Sequence, residues 1–259
     1  MEIITSAQNS KIKEIIKLQK PRERKECGLV IVEGYQEILM ALGAGFEIER
    51  LFFCPDLAGK KRIEKIEDDR TISVVPAVFK KIAYRENPDG FLALVKSKVL
   101  KLDEVKLSKN PLVIVLESVE KPGNLGAILR SADAAGADAV IISDQRTDIY
   151  NPNVIRASLG TVFTNQVAVS SAKEIQKWLS KNKIKSLATT PEADKIYTEV
   201  NYKGGIAVVM GEEHKGLSEE WLKKADEKIK IPMAGKIDSL NVSVSTAIIL
   251  FEAVRQRTK

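Results

Sequence analysis

What most constrains this chain is the pattern of its second half, where short buried strands alternate with helical stretches. Polar, glycine-bearing segments stand where the strands end. Leu112–Leu116 is an uninterrupted apolar run, the signature of a parallel strand covered on both faces. Further buried strands are expected at Ala139–Ile142, Gln166–Val169, Ser186–Thr189 and Ile206–Met210. Helices fit at Leu125–Ala135, Val154–Leu159, Ala172–Asn182, Glu219–Ala225 and Ser243–Arg257. Alternating strands and helices give an α/β domain with a mostly parallel sheet, and ligands of such sheets bind at the carboxyl ends of the strands.

The first half reads as a second, smaller α/β domain. Ile12, Ile15, Ile16 and Leu18, spaced by lysines, make an amphipathic helix starting near Ser10. Lys20–Lys25 is a charged turn, either a solvated connection or a phosphate-contacting arm. Strands follow at Leu29–Gly34, Ile48–Cys54, Thr71–Val75 and Phe91–Val95, with helices at Tyr35–Leu42, Lys60–Asp68 and Pro76–Ala83. The lysine-rich stretch Lys96–Asn110 has no long apolar run, which places the boundary near residue 105 and the domains at 1–105 and 106–259.

Composition narrows the function classes. The 41 basic residues exceed the 35 acidic ones for a net charge of +6, which permits a polyanionic partner without demanding one. Cys27 and Cys54 have no metal-ligand or CxxC spacing, so reduced thiols and a cytoplasmic location are expected, with no metal site. The N-terminus shows no signal-peptide pattern, and no apolar run approaches the ~20 residues that span a bilayer. Neither a GxGxxG nor a GxxxxGK[ST] fingerprint is present.

Three segments at strand ends gather the chemistry. In Glu117–Arg130, Pro122-Gly123-Asn124 makes the turn, with Asn124 placed to cap the next helix and Arg130 on that helix. Arg130 is a surface arginine, or one paired with Asp133, or a guanidinium fork for a phosphate or ribose oxygen. In Met210–Ser218, glycines on both sides of a polar tip let backbone approach a ligand closely; His214, the only histidine, is left out of the mechanism. In Ile231–Ser245, Ser239 and Asn241 precede an apolar helix, as caps or as ligand-binding groups.

Asn124…Arg130, Gly211-x-Glu213-x-x-Gly216-Leu217-Ser218 and Ile231-Pro232-Met233…Ser239-Leu240-Asn241-Val242-Ser243 resemble the three ordered motifs of the SpoU (TrmH) branch of SPOUT RNA methyltransferases. Thr5–Lys13, Val32-Glu33-Gly34 and Glu86–Gly90 resemble phrases of the two-domain members, which carry a ribosomal-protein L30e-like RNA-binding domain ahead of the catalytic one. The resemblance implies a C-terminal SPOUT domain with a deep trefoil knot, which periodicity alone would not suggest.

It also implies S-adenosylmethionine (SAM) as methyl donor, held around Gly211, Ile231, Met233 and Leu240 with Thr189 adjacent. Arg130 matches the family's catalytic arginine. A guanidinium surrenders its proton too reluctantly to serve as base, so it is expected to orient an RNA phosphate and stabilise developing oxyanion charge. Asn124, Glu213, Ser239 and Asn241 are expected to fix the ribose. The family acts as homodimers, through the C-terminal domain, with sites built from both subunits. The expected reaction is 2′-O-ribose methylation of structured RNA, ribosomal (23S) in preference to transfer RNA, with Lys11, Lys13, Lys17, Arg22, Arg24 and Lys25 as phosphate contacts. The rivals are an inactive RNA-binding adaptor of the same fold and a nucleotide-dependent oxidoreductase.

Overall fold

A computed structural model describes residues 2–61, 63, 68–213 and 215–258. The chain forms two compact units, Met1–Lys98 with Tyr150–Thr164, and Val99–Ile149 with Asn165–Lys259.

The first unit holds β1 (Glu2–Ile4), β2 (Leu29–Glu33), β3 (Ile48–Phe53), β4 (Thr71–Val74) and β5 (Phe91–Lys96), in the order β1-β4-β3-β5-β2. β5 runs antiparallel to both β2 and β3, whereas β4 is parallel to β1 and β3. Ile12, Ile15 and Leu18 of the Ser10–Leu18 helix bury against Phe52, Phe79, Leu92 and Leu94. That helix is capped by Asn9, whose side chain accepts from Lys11 N at 2.9 Å, and not by Ser10. The Lys20–Lys25 stretch is a helix, Pro21–Cys27, and not a turn: Pro21 sits in its first turn, where a missing N–H costs nothing. The helix expected at Lys60–Asp68 falls largely outside the described residues.

The unit also takes in a segment far along the chain. Tyr150 and Phe163 place their rings 6.5 and 5.1 Å from that of Phe46, and the Pro152–Ala157 helix packs on β2. Gly160, at φ +84, lies so near the Tyr35–Gly43 helix that a Cβ would come within 3.1 Å of Glu37 Cα and Met40 Cβ. These contacts make the helix expected at Val154–Leu159 part of the first unit.

The second unit is built on an all-parallel sheet of β6 (Leu112–Glu117), β7 (Ala139–Ser143), β8 (Val167–Ser170), β9 (Lys185–Thr189), β10 (Lys195–Ile196), β11 (Ile206–Met210) and β12 (Glu227–Lys230), ordered β10-β12-β9-β11-β6-β7-β8. All of β6 is buried, as its continuous apolar run requires. Val113, Val115, Ile141, Val209 and Trp221 share one core with Ile175 and Leu179 of the Ala172–Lys181 helix. The Val242–Arg257 helix packs against both β11 and the Pro122–Ala135 helix. β12 lies between β9 and β10, which only residues 190–194 connect. A late strand is thus flanked by two earlier consecutive ones, as in a C-terminal segment that passes through a loop.

Candidate active site

β6 and β11 are neighbours in a register that pairs Leu116 with Met210, so Glu117 and Gly211 leave the sheet side by side. Glu117 is buried and accepts two hydrogen bonds from Ser218, from the backbone N–H and from Oγ, each at 2.7 Å. The carboxylate at the end of one strand therefore closes the loop that follows the other. Within that loop Glu212 and Gly216 exchange backbone hydrogen bonds of 3.1 and 3.0 Å. The turn is so tight that a Cβ on Gly211 would lie 2.2 Å from Gly216 C. Gly211 is thus a glycine because backbone crosses it. His214 lies outside the described residues.

The helix after β6 begins at Pro122, with Lys121 as its cap position. Asn124 is therefore the third residue of the helix and not its cap, which leaves its amide for longer reach. Its Nδ2 donates to Glu213 Oε1, while its Oδ1 accepts from Asn241 Nδ2 at 3.1 Å. Asn241 is the true cap of the last helix, its Oδ1 accepting from Ser243 N at 2.9 Å and Ser243 Oγ at 2.6 Å. One asparagine thus terminates a helix and also joins a polar chain running Asn241–Asn124–Glu213. The three motif segments meet there.

A cavity of about 380 Å³ lies along the third of these segments, with Met210 at the end of β11 also on its wall. Thr189, Ile231, Met233 and Leu240, four of the five residues expected at the cofactor, line it; Gly211 does not. Ser239 also lines it, which puts this serine on the cavity wall and not in the polar chain. Thr189 Oγ1 donates to Val209 O at 2.8 Å and ties β9 to β11 beneath the cavity. Ile249 and Pro232 add apolar wall; Asp238 supplies the carboxylate and Ser245 a further hydroxyl. Mixed apolar and hydroxyl walls bearing one acid, Asp238, and one base, Lys230, suit SAM, which has a flat ring, a ribose, an ammonium and a carboxylate to place. Sequence reasoning missed Glu117, Asp238 and Ser245. The available signal was a carboxylate directly after an uninterrupted strand.

Arg130 is exposed and meets no acceptor among the described residues. It stands six residues past Asn124 on the same helix, about 9 Å along the axis and roughly a third of a turn around it. The Asp133 pairing weighed for it is not found. β6 and β7 end in two residues of positive φ, Ser118 (55°) and Asp144 (50°), joined by Ser118 Oγ donating to Asp144 at 2.8 Å. Hydrogen bonds from Ser118 and Arg146 hold the Asp144 carboxyl below its usual range.

Of the residues expected to touch RNA phosphates, Lys13, Lys17 and Lys25 are exposed. Lys11 pairs with Glu2 and Arg22 with Glu26. Arg24 departs from the expectation. It is buried, and its Nη1 donates to Leu18 O and Gln19 O at 2.7 and 2.8 Å, closing the end of the first helix. Buried in this way, the guanidinium presents no surface to a phosphate there. Among the described residues no cluster of His, Cys, Asp and Glu suits a metal, and no helix is long and apolar enough to cross a membrane.

Residues 111–251 match the model of the SpoU rRNA methylase family, and residues 9–93 match an MRM3-like substrate binding domain. An RNA 2′-O ribose methyltransferase of known structure is 40% identical with a TM-score of 0.84, over 99% of this chain and 100% of that one. The AdoMet-bound rRNA methyltransferase of Sinorhizobium meliloti is 30% identical with a TM-score of 0.89, over 98% and 97%. A 23S rRNA uridine 2′-O-methyltransferase of Streptomyces viridochromogenes is 29% identical over 91% of this chain and 85% of its own.

Proposed function

The chain belongs to the SpoU rRNA methylase family, and on that premise we propose that it methylates a ribose 2′-hydroxyl of 23S rRNA with SAM, at a site completed by a second copy of itself. The observation that carries this reading is the convergence of Asn124, Glu213 and Asn241 from three segments far apart in the chain, with Leu240 of the cavity wall adjacent in sequence to Asn241.

SAM supplies a methyl carbon activated by its sulfonium. The residues present do the rest. Thr189, Ile231, Met233 and Leu240 hold the donor in a fixed pose, with Asp238 available to its ammonium group. Transfer would form the O–C bond as the C–S bond breaks, with the hydroxyl proton released to water, and it requires oxygen, carbon and sulfur in line. Asn124, Glu213 and Asn241 lock one another and offer hydrogen-bonding groups that set the ribose, with Ser239 reaching from the cavity side. Arg130 orients an RNA phosphate and balances negative charge growing on the attacking oxygen.

Two observations support the second copy. Arg130 stands about 9 Å along its helix from Asn124, which leaves the Asn124 chain open to an arginine from a second copy. On the last helix Val244, Ile248 and Phe251, at i, i+4 and i+7, form an apolar stripe; Val244 and Phe251 are 47% and 49% exposed. The first unit supplies RNA affinity, with Lys13, Lys17 and Lys25 as its phosphate contacts.

The test is transfer of labelled methyl from SAM to rRNA isolated from a strain lacking the gene, followed by nucleoside analysis. Label in a 2′-O-methylnucleoside, lost with Arg130→Ala, is the expected result. No label in rRNA, despite SAM binding, would overturn it in favour of an inactive adaptor.

A further inference from the structure

We propose that the first unit carries a groove, bounded by Tyr84, Asn87, Arg156 and Leu159, that receives one unpaired base of the substrate RNA. This deepens the function proposed above and rests on it. The groove is open to solvent and has a volume of about 690 Å³, within the roughly 300–1,000 Å³ of small-ligand clefts.

One wall is held rigidly. The buried Glu33 accepts the backbone N–H groups of Tyr84 at 2.6 Å and Arg85 at 3.3 Å, and Glu37 holds the Arg85 guanidinium. The peptide that presents Tyr84 is thereby fixed, while its ring stands 48% exposed. The opposite wall comes from the segment Tyr150–Thr164, which lies within the stretch matched by the methylase family. Leu159 sits there at φ 53 and 49% exposed, an uncommon conformation for a branched side chain. The close seat of Gly160 on the Tyr35–Gly43 helix keeps it in place.

Among the described residues, the Tyr84 hydroxyl, the Asn87 amide and the Arg156 guanidinium have no hydrogen-bond partner, and Asn87 and Arg156 are exposed. The charges bordering the groove cancel: Arg85 and Arg156 against Glu37 and Glu86. A phosphate would need a net positive cradle. A neutral base needs an aromatic face, an amide for its edge and a flat apolar backing, and these are what Tyr84, Asn87 and Leu159 offer.

The experiment is binding of the full-length protein to an unmodified 23S rRNA transcript over a range of salt concentrations. Tyr84→Ala and Asn87→Ala are expected to raise Kd about tenfold each, near the low end for loss of a base stack. Tyr84→Phe should bind like wild type. The slope of log Kd against log salt should stay that of wild type for all three, because no phosphate contact is removed, and thermal unfolding should be unchanged. Tyr84→Ala binding with wild-type affinity, while the wild type methylates the transcript, would refute the groove alone. A slope that falls by about one in Arg156→Ala, with Tyr84→Ala silent, would mean a phosphate contact and refute the base. A wild type that neither binds nor methylates the transcript would overturn the proposed function itself.

Discussion

Asn124 donates its side-chain amide to Glu213, 89 residues away, while accepting from Asn241 at 3.1 Å. The carboxamide can hold both neighbours at once because it carries a donor, Nδ2, and an acceptor, Oδ1, on the same carbon. Asn124→Asp keeps the shape, removes the donor and sets two carboxylates face to face. We expect kcat/KM to fall by about 100-fold, the scale of a small misplacement at a reacting centre. SAM affinity by calorimetry should change by no more than a few fold. Near-normal turnover in Asn124→Asp would remove this chain of hydrogen bonds from the mechanism.

If Arg130 serves the partner's site, two inactive variants should rescue each other. In a heterodimer of Arg130→Ala with Asn124→Ala, one of the two sites combines an intact Asn124 with the other subunit's intact arginine. Random mixing makes half the dimers hetero, so co-refolded subunits should recover roughly a quarter of wild-type activity. Recovery indistinguishable from zero, with heterodimers demonstrated by tagged pull-down, would place both residues in one chain.

The alternation of strands and helices and the three motif segments were legible in the sequence, because continuous apolar runs leave few architectures open. The family they pointed to is the one whose model matches residues 111–251. What stayed illegible has specific causes. β12 reads Glu-Lys-Ile-Lys, a polar strand whose only buried side chain is Ile229, so hydrophobicity could not find it. Tyr150–Thr164 joins the first unit through three aromatic rings and one glycine, contacts that no local pattern announces. The role of Arg24 depended on Lys20–Lys25 being helical, which turned this arginine back toward the preceding helix end.

Gly211 should tolerate no side chain. A methyl group would sit 2.2 Å from Gly216 C and 2.4 Å from Leu217 N, both backbone atoms that cannot step aside. Gly211→Ala is expected to open the loop that carries Glu213, with activity lost and amide protection in residues 212–218 reduced in hydrogen exchange. Full activity would show that the loop can relax without cost.

Arg24→Ala should act on stability and not on RNA. It removes donors to two carbonyls, and leaving buried acceptors unmet costs about 1–3 kcal/mol each. The urea midpoint of unfolding should drop, whereas the salt dependence of RNA binding should hold. Lys13→Ala with Lys17→Ala is expected to do the reverse, shrinking the salt slope by about one to two units at unchanged stability. A reduced salt slope in a stable Arg24→Ala protein would return this residue to the RNA surface.

Glu227 gives the second unit a pH dependence whose sign is fixed by its partners. It lies on β12, and hydrogen bonds from Lys185 and Lys195, the latter at 3.0 Å, hold its carboxyl below the ordinary value of 4.5. A group whose pKa is lower folded than unfolded stabilises the fold above its unfolded pKa, and that contribution disappears as pH falls through the folded one. The lysines are half exposed, so screening limits the effect to about 1 kcal/mol or less. Glu227→Gln should therefore be the less stable protein in chemical denaturation at pH 7. The difference should shrink as the pH is lowered through the carboxylate range, and also in high salt. A difference that grows on acidification would mean the carboxylate is held in its neutral form, and the two lysines would then need another explanation for their position.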